Sequence, residues 1–309
     1  MTRIELRPRG PFALAASTAF LEGFAPAAYE GRDDALRLAF VAGAAFQAGG
    51  RERVAAVALR EEDGVVVAEV AGDADPAAVR DQVARILSLD VDGTGFPAVG
   101  ARDPVVGRLQ ARSPGLRPVL FASPYEAAAW AVIGNRIRIT QAARIKAAMA
   151  RDLGTAVAIG GDVEHVFPGP ERLARLDAFP GLTERKLEYL RALGRAAPSG
   201  LLDAAALRAM PTEAALARLQ TLPGIGPFGA ELILLRGAGA PDAVPRHEAR
   251  FARAVALAYG LAVPPDDEVL TVIAENWRPY RTWVVLLLRT MLEAETGEIA
   301  GRRSPGGVT

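Results

Sequence analysis

In the N-terminal part of the chain, short runs of Val, Ile, Leu and Ala alternate with glycine, proline and acidic turn residues. Runs of that length, rich in β-branched residues and bounded by turn formers, read as strands. They predict strands over Thr2–Leu6, Leu36–Phe40, Arg53–Leu59 and Gly64–Val70, with Glu61-Glu62-Asp63-Gly64 as a hairpin turn between the last two. From Pro76 to Leu87 the period changes. Val79, Val83, Ile86 and Leu87 fall at helical spacing, so this segment predicts a helix laid on one face of an antiparallel sheet. The N-terminal unit is therefore predicted to be α+β.

Beyond Ser123 the helical period persists. Ser123, Pro124 and Glu126 form a capping-box signature that opens the run YEAAAWAVIGNRI. Further helices are predicted over Ile139–Leu153, Pro170–Asp177, Thr183–Gly194, Ala204–Met210, Thr212–Leu222, Pro227–Arg236, His247–Tyr259, Asp266–Asn276 and Tyr280–Thr296. The predicted organisation is an α+β domain over 1–112, an all-α domain over 113–300 and a flexible tail over 301–309.

Composition narrows the chemistry. The 309 residues are 50% hydrophobic and 23% charged, an ordinary globular mixture that excludes a disordered or collagen-like chain. Cysteine is absent, which excludes a disulfide scaffold, a thiol nucleophile and cysteine-based zinc or iron–sulfur sites. His165 and His247 are the only histidines, too few for a multi-histidine metal centre. The formal charge is zero, but residues 1–110 carry 12 basic against 16 acidic side chains and residues 111–309 carry 24 against 20. This mild asymmetry leaves room for a local basic face. Apart from Lys146 and Lys186 the basic residues are arginine, which GC-rich coding explains as readily as phosphate recognition does. No apolar run reaches the roughly 18–20 residues of a membrane span. The start MTRIELRPRGPFAL has charge and proline where a leader needs an unbroken apolar stretch, which predicts a cytoplasmic protein with no membrane contact.

The most informative stretch is LQTLPGIGPFGAELILLRGAG, residues 219–239. Pro223-Gly224-Ile225-Gly226 reads as a tight turn between two helices, Pro227 starts the second helix, and Gly237 and Gly239 end it. Two glycines are expected to permit positive φ and to leave the turn bare of side chains, so that backbone N–H groups can meet a phosphate directly. Pro223, Gly224, Ile225, Gly226 and Pro227 are thus candidates for sequence-independent contact with a nucleic-acid backbone. The alternative is a plain connector between helices. Phe179-Pro180-Gly181-Leu182 is a related segment that lacks the second glycine, and it reads as a structural echo of the first.

The hairpin followed by ELILLRGAGAPDAVPRHEARF resembles the helix-hairpin-helix DNA glycosylases, and more narrowly the bacterial DNA-3-methyladenine glycosylase II family. SPYEAAAWAVIGNRIRITQAARI, VGRLQARSPGLRP and ENWRPYRTWVVLLLR resemble further family segments in the same order. The resemblance implies an N-terminal domain like one repeat of the TATA-binding protein and a helix-hairpin-helix domain that binds double-stranded DNA containing damaged bases, acting as a monomer. It also implies that an alkylated purine is flipped into a pocket and released with the help of a carboxylate. A catalytic cofactor is not implied, but a monovalent cation held by the carbonyls of Gln220, Leu222 and Ile225 is.

Carried over residue by residue, the resemblance places Glu248 where the family has its catalytic aspartate, with His247 one residue away. The alternative for both is a polar residue in a first helical turn. Arg136 stands where the family inserts an apolar wedge, and arginine can stack on bases as well as meet the backbone. Arg289 replaces a pocket aromatic, and its charge would repel a cationic base. Phe228 replaces a tryptophan and offers either a stacking face or a core contact. Trp283, Trp277 and Tyr280 are candidate pocket walls, with the same core alternative. The lysine of bifunctional members is absent, with Pro227-Phe228 in its place, which implies base removal without strand cleavage. A competing expectation is a catalytically weak or inactive protein that binds damaged DNA.

Overall fold

The computed structural model describes residues 2–24, 35–43 and 52–297, so the expected tail at 301–309 lies outside the described residues. The first elements are β1 (Thr2–Leu6), α1 (Leu14–Gly23), β2 (Leu36–Val41), β3 (Val54–Glu62) and β4 (Val65–Gly72). The strands form one antiparallel sheet in the order β1-β4-β3-β2. Register at the β3–β4 hairpin pairs Glu62 with Val65, and the two residues between them, Asp63 and Gly64, have φ of 50° and 75°. Positive φ at both positions matches the right-handed twist of the flanking strands, which explains Asp-Gly there.

α2 (Pro76–Ile86) starts at Asp75, whose side chain accepts from the Ala78 amide, and buries Val79, Val83 and Ile86 against the sheet as predicted. The chain then forms α3 (Phe96–Arg102) and α4 (Pro104–Arg112), two short helices that the hydrophobic pattern did not single out. Both pack with the last helices of the chain and not with the sheet: Phe96, Val99, Val106 and Leu109 share a core with Phe251, Trp277, Trp283 and Leu288. The sequence boundary at residue 112 thus runs behind two helices that already belong to the C-terminal core.

α5 (Pro124–Gly134) opens as its capping signature predicts, with the Ser123 hydroxyl accepting from the Glu126 amide at 3.1 Å. It is followed by α6 (Ile139–Leu153), then β5 (Ala156–Ile159) and β6 (Asp162–His165), then α7 (Pro170–Ala174) and α8 (Glu184–Ala196). The β5–β6 hairpin is an exception to the all-helical reading of this half. Val157, Ile159 and Val166 bury themselves with Ala56, Ala58 and Val41 of β3 and β2, so the hairpin covers part of the sheet. Arg37, buried, reaches Asp162 at 3.4 Å across that contact.

The remaining helices are α9 (Ala204–Ala209), α10 (Thr212–Leu219), α11 (Pro227–Leu232), α12 (Ala249–Tyr259), α13 (Asp267–Glu275) and α14 (Arg281–Thr296). Helices α5 to α11 enclose one apolar core and α3, α4 and α12 to α14 a second. Among the described residues no helix is long and apolar enough to cross a membrane.

Arg117 joins the sheet unit to the second core. It is fully buried, and its guanidinium donates to the carbonyls of Pro11, Ser88, Val91 and Arg9 while lying 5.0 Å from the centre of the Trp283 ring. Replacing it with leucine strands four carbonyls, and Arg117→Leu should lower stability by about 3 kcal/mol or more, read from urea unfolding.

Candidate active site

The hairpin begins where α10 ends. In Leu222-Pro223-Gly224-Ile225 the Ile225 amide donates to the Leu222 carbonyl at 3.1 Å, and Gly224 has φ +83°. This is the turn that proline and glycine in adjacent central positions specify. A side chain at Gly224 would be strained by that φ and would also lie 2.3 Å from Cδ2 of Tyr189 on α8. Phe179-Pro180-Gly181-Leu182 repeats the geometry, with Gly181 at φ +83° and the same bond at 3.1 Å. The echo seen in the sequence is a genuine repeat of the turn. Gly226 behaves differently. Its φ of −92° and ψ of −175° suit any residue, it is exposed, and a Cβ there meets nothing within 4 Å. The expectation of two positive-φ glycines holds for Gly224 alone, and nothing in the folded chain requires Gly226. Pro223, Pro227 and Gln220 are exposed around it, whereas the side chains of Leu222 and Ile225 anchor the turn in the first core.

After Leu232 the helix widens into a π turn over Ile233–Ala238, ended by Gly239 at φ +80°. Such turns recur at functional sites because they rotate side chains out of the α register. Contacts from the sheet side hold this one. The Phe121 amide donates to the Arg236 carbonyl at 2.8 Å, Arg236 Nη2 donates to the Val119 carbonyl at 2.7 Å, and Arg85 on α2 donates to the Gly237 carbonyl. Gly237 lets the turn sit on α5: a Cβ would come 2.9 Å from the Pro124 backbone.

A narrow cleft with about 30 Å³ of free space lies between this segment and α14, at the junction of the two cores. Phe228, Glu231, Leu235 and Arg236 line one side; Pro245 and Glu248 lie on the loop into α12; Thr282, Val285, Leu286 and Arg289 line the other. The last four share one stripe of α14. Trp283 lies about 100° round the helix from Thr282, which turns it away. It is 2% exposed, with the rings of Phe96 and Tyr280 each 5.0 Å away. Trp277 and Tyr280 are also buried in that core. The three aromatics proposed as pocket walls are core residues. Phe228 is the opposite case, 51% exposed at the rim of the cleft.

Glu248 immediately precedes α12 and makes no capping bond to that helix. Its carboxylate instead meets Arg289 Nη1 at 3.1 Å, with the side chains 11% and 20% exposed. His247, half exposed, is not part of the cleft lining. Its Nδ1 lies 2.8 Å from Glu231, which also accepts from the amides of Arg246 at 2.9 Å and His247 at 3.0 Å. Glu231 is the charged cleft residue the sequence analysis passed over. Its signal was an acidic position one turn after Phe228 in an otherwise apolar helix start. Burial, together with the nearby charge of Arg289, lowers the pKa of Arg236 to about 9, against the favourable pull of Glu248.

Arg136 sits outside the cleft, exposed on the loop between α5 and α6, with φ of 56°, a conformation uncommon for a residue with a side chain. Among the described residues no cluster of three or more His, Asp or Glu side chains is arranged to hold a metal ion.

No protein-family model matches the chain. A Mycobacterium tuberculosis protein described as a probable bifunctional transcriptional activator/DNA repair enzyme is 32% identical over 215 residues, 67% of this chain. The match spans only 41% of that relative's length. The Bacillus subtilis DNA-3-methyladenine glycosylase is 27% identical over 208 residues, covering 66% of this chain and 69% of the relative. The chain belongs to the DNA-3-methyladenine glycosylase family. The family's fold is seen in the 3-methyladenine DNA-glycosylase from Archaeoglobus fulgidus, which superposes with a TM-score of 0.75 at 22% identity over 95% of this chain and 98% of that one. The small antiparallel sheet followed by a helical domain is thus the family architecture, and the likeness runs through both units.

The two hairpin glycines should separate in stability measurements. Gly224→Ala is expected to cost about 1–3 kcal/mol from its φ and the Tyr189 contact. Gly226→Ala should stay within about 0.5 kcal/mol of the parent in urea unfolding.

Proposed function

We propose that the protein is a monofunctional DNA glycosylase that hydrolyses the N-glycosidic bond of alkylated purines, of the 3-methyladenine type, in base excision repair. The observation that carries this reading is the Glu248 carboxylate, set in a cleft beside Phe228 and directly downstream of a hairpin whose second glycine has no structural duty. Its partner is double-stranded DNA containing damaged bases, met by a cytoplasmic monomer.

The chemistry follows from the placement. Backbone N–H groups at Gly224 and Gly226 and in the first turn after Pro227 meet a phosphate, which fixes the duplex without reading sequence. The damaged nucleotide rotates into the cleft, where Phe228 offers a stacking face, and Arg136 fills the space left in the duplex. As the bond from C1′ to the purine nitrogen breaks, Glu248 stabilises the positive charge developing on the sugar. A water oxygen then bonds to C1′ and yields its proton, while the base leaves with the electron pair of the broken bond. Lys186 donates to the Ile133 carbonyl and Lys146 pairs with Glu126 at 2.6 Å. Neither lines the cleft, which supports hydrolysis without Schiff-base chemistry. The carbonyl oxygens of Gln220, Leu222 and Ile225 are hard donors suited to a monovalent cation at the hairpin.

A second reading, a binder of damaged DNA with little or no catalysis, draws on the Glu248–Arg289 pair, since a compensated carboxylate offers less to a cationic sugar. Single-turnover release from methylated duplex DNA decides between them. Glu248→Gln should slow release by about a hundredfold or more with duplex affinity little changed. If the parent binds damaged duplex and releases nothing, the second reading stands. Gly226→Ala should weaken duplex binding severalfold although the variant is as stable as the parent, because a methyl group now stands where the phosphate approaches.

A further inference from the structure

The cleft holds four charged side chains: Glu231, Arg236, Glu248 and Arg289. Their bonds are unequal. Glu231 is occupied by two backbone amides and the His247 ring. Arg236 donates from Nη2 to Val119 and lies over the rings of Phe20 and Phe24, but its buried Nε has no hydrogen-bond partner. Arg289 and Glu248 hold each other at 3.1 Å. One carboxylate of the cleft is therefore consumed by the backbone and the other by Arg289, while the Arg236 guanidinium is engaged by Val119, Phe20 and Phe24.

We infer that Arg289 is a latch on Glu248 and a specificity-determining residue: the cleft takes neutral purines that offer a hydrogen-bond acceptor edge ahead of purines that carry a positive charge. The inference rests on the glycosylase reading above and narrows its substrate class, setting uncharged modified purines ahead of the cationic 3-methyladenine type. To stabilise a cationic sugar, Glu248 has to be freed from the guanidinium that compensates it. A base with a carbonyl oxygen or ring nitrogen facing Arg289 accepts from the guanidinium fork and draws it off the carboxylate. A cationic base meets the like charge of Arg289 in a partly desolvated site where such repulsion is strong.

The test is single-turnover release from duplexes that contain either one hypoxanthine, neutral with O6 and N7 acceptors, or one 7-methylguanine, cationic while in DNA. With each rate divided by spontaneous loss of the same base from free duplex, the parent should favour hypoxanthine. Arg289→Met should raise the ratio of 7-methylguanine to hypoxanthine release by about tenfold or more. Arg289→Lys, which keeps the charge, should keep the parent's order. Arg289→Gln serves as a second neutral variant, with thermal unfolding to verify that each variant folds. A ratio unchanged in both neutral variants, with the two rates falling together, overturns the latch and leaves the glycosylase reading intact. A larger enhancement over spontaneous loss for 7-methylguanine than for hypoxanthine in the parent also overturns it. Release of 3-methyladenine but of neither test base overturns this inference and leaves the glycosylase reading intact; release of none of the three overturns both.

Discussion

Three buried arginines, Arg85, Arg117 and Arg236, donate to main-chain carbonyls that lie where the sheet unit meets the helices. Each sits in an apolar setting that disfavours its charge, and burial lowers their pKa values to about 10, 10 and 9. All three nevertheless remain cations at neutral pH. Among the described residues no carboxylate makes an ion-pair contact with them, so they depend on carbonyl dipoles and aromatic faces: Trp283 and Phe12 for Arg117, Phe20 and Phe24 for Arg236. A buried ion leaves little freedom for its surroundings, because losing any of these partners exposes an uncompensated charge. The arrangement ties α1, α2 and residues 117–122 to the π turn, so the cleft wall is held from outside the helical unit.

That dependence explains why the sheet unit and the helical unit form one functional body although their apolar cores are separate. The cleft lies at the junction of the two helical cores, one carrying the hairpin and the π turn, the other carrying α12 and α14. Glu248 belongs to the connection between them, on the loop just ahead of α12.

Much of this was legible in the chain. The strands, the Asp63-Gly64 hairpin, the Ser123 cap and the hairpin at Pro223–Pro227 follow from periodicity, turn chemistry and capping, all local effects that neighbouring residues decide. The resemblance also singles out Glu248 by its interval from the hairpin, and the fold sets that carboxylate in the cleft. The failures have a shared cause. Trp283 was read as a pocket wall because aromatic residues occur in pockets and in cores alike, and only the packing of α14 distinguishes its stripes. Glu231 was missed because a lone glutamate in an apolar helix start carries no motif. The β5–β6 hairpin was overlooked because it gains its stability from the sheet it covers, not from its own pattern.

By itself, then, the sequence determined the local elements, the family, and the set of chemistries open to a chain with no cysteine and two histidines, since these depend on residue identity and short-range spacing. Tertiary structure decided which residues face one another. It set Tyr189 against Gly224, which its φ of +83° already reserves for glycine, and left Gly226 open, and it withdrew His247 from the cleft through its bond to Glu231. It also set Arg289 of α14 against Glu248, 41 residues away in the chain. Charge pairing and burial act through space, and no spacing along the chain encodes them.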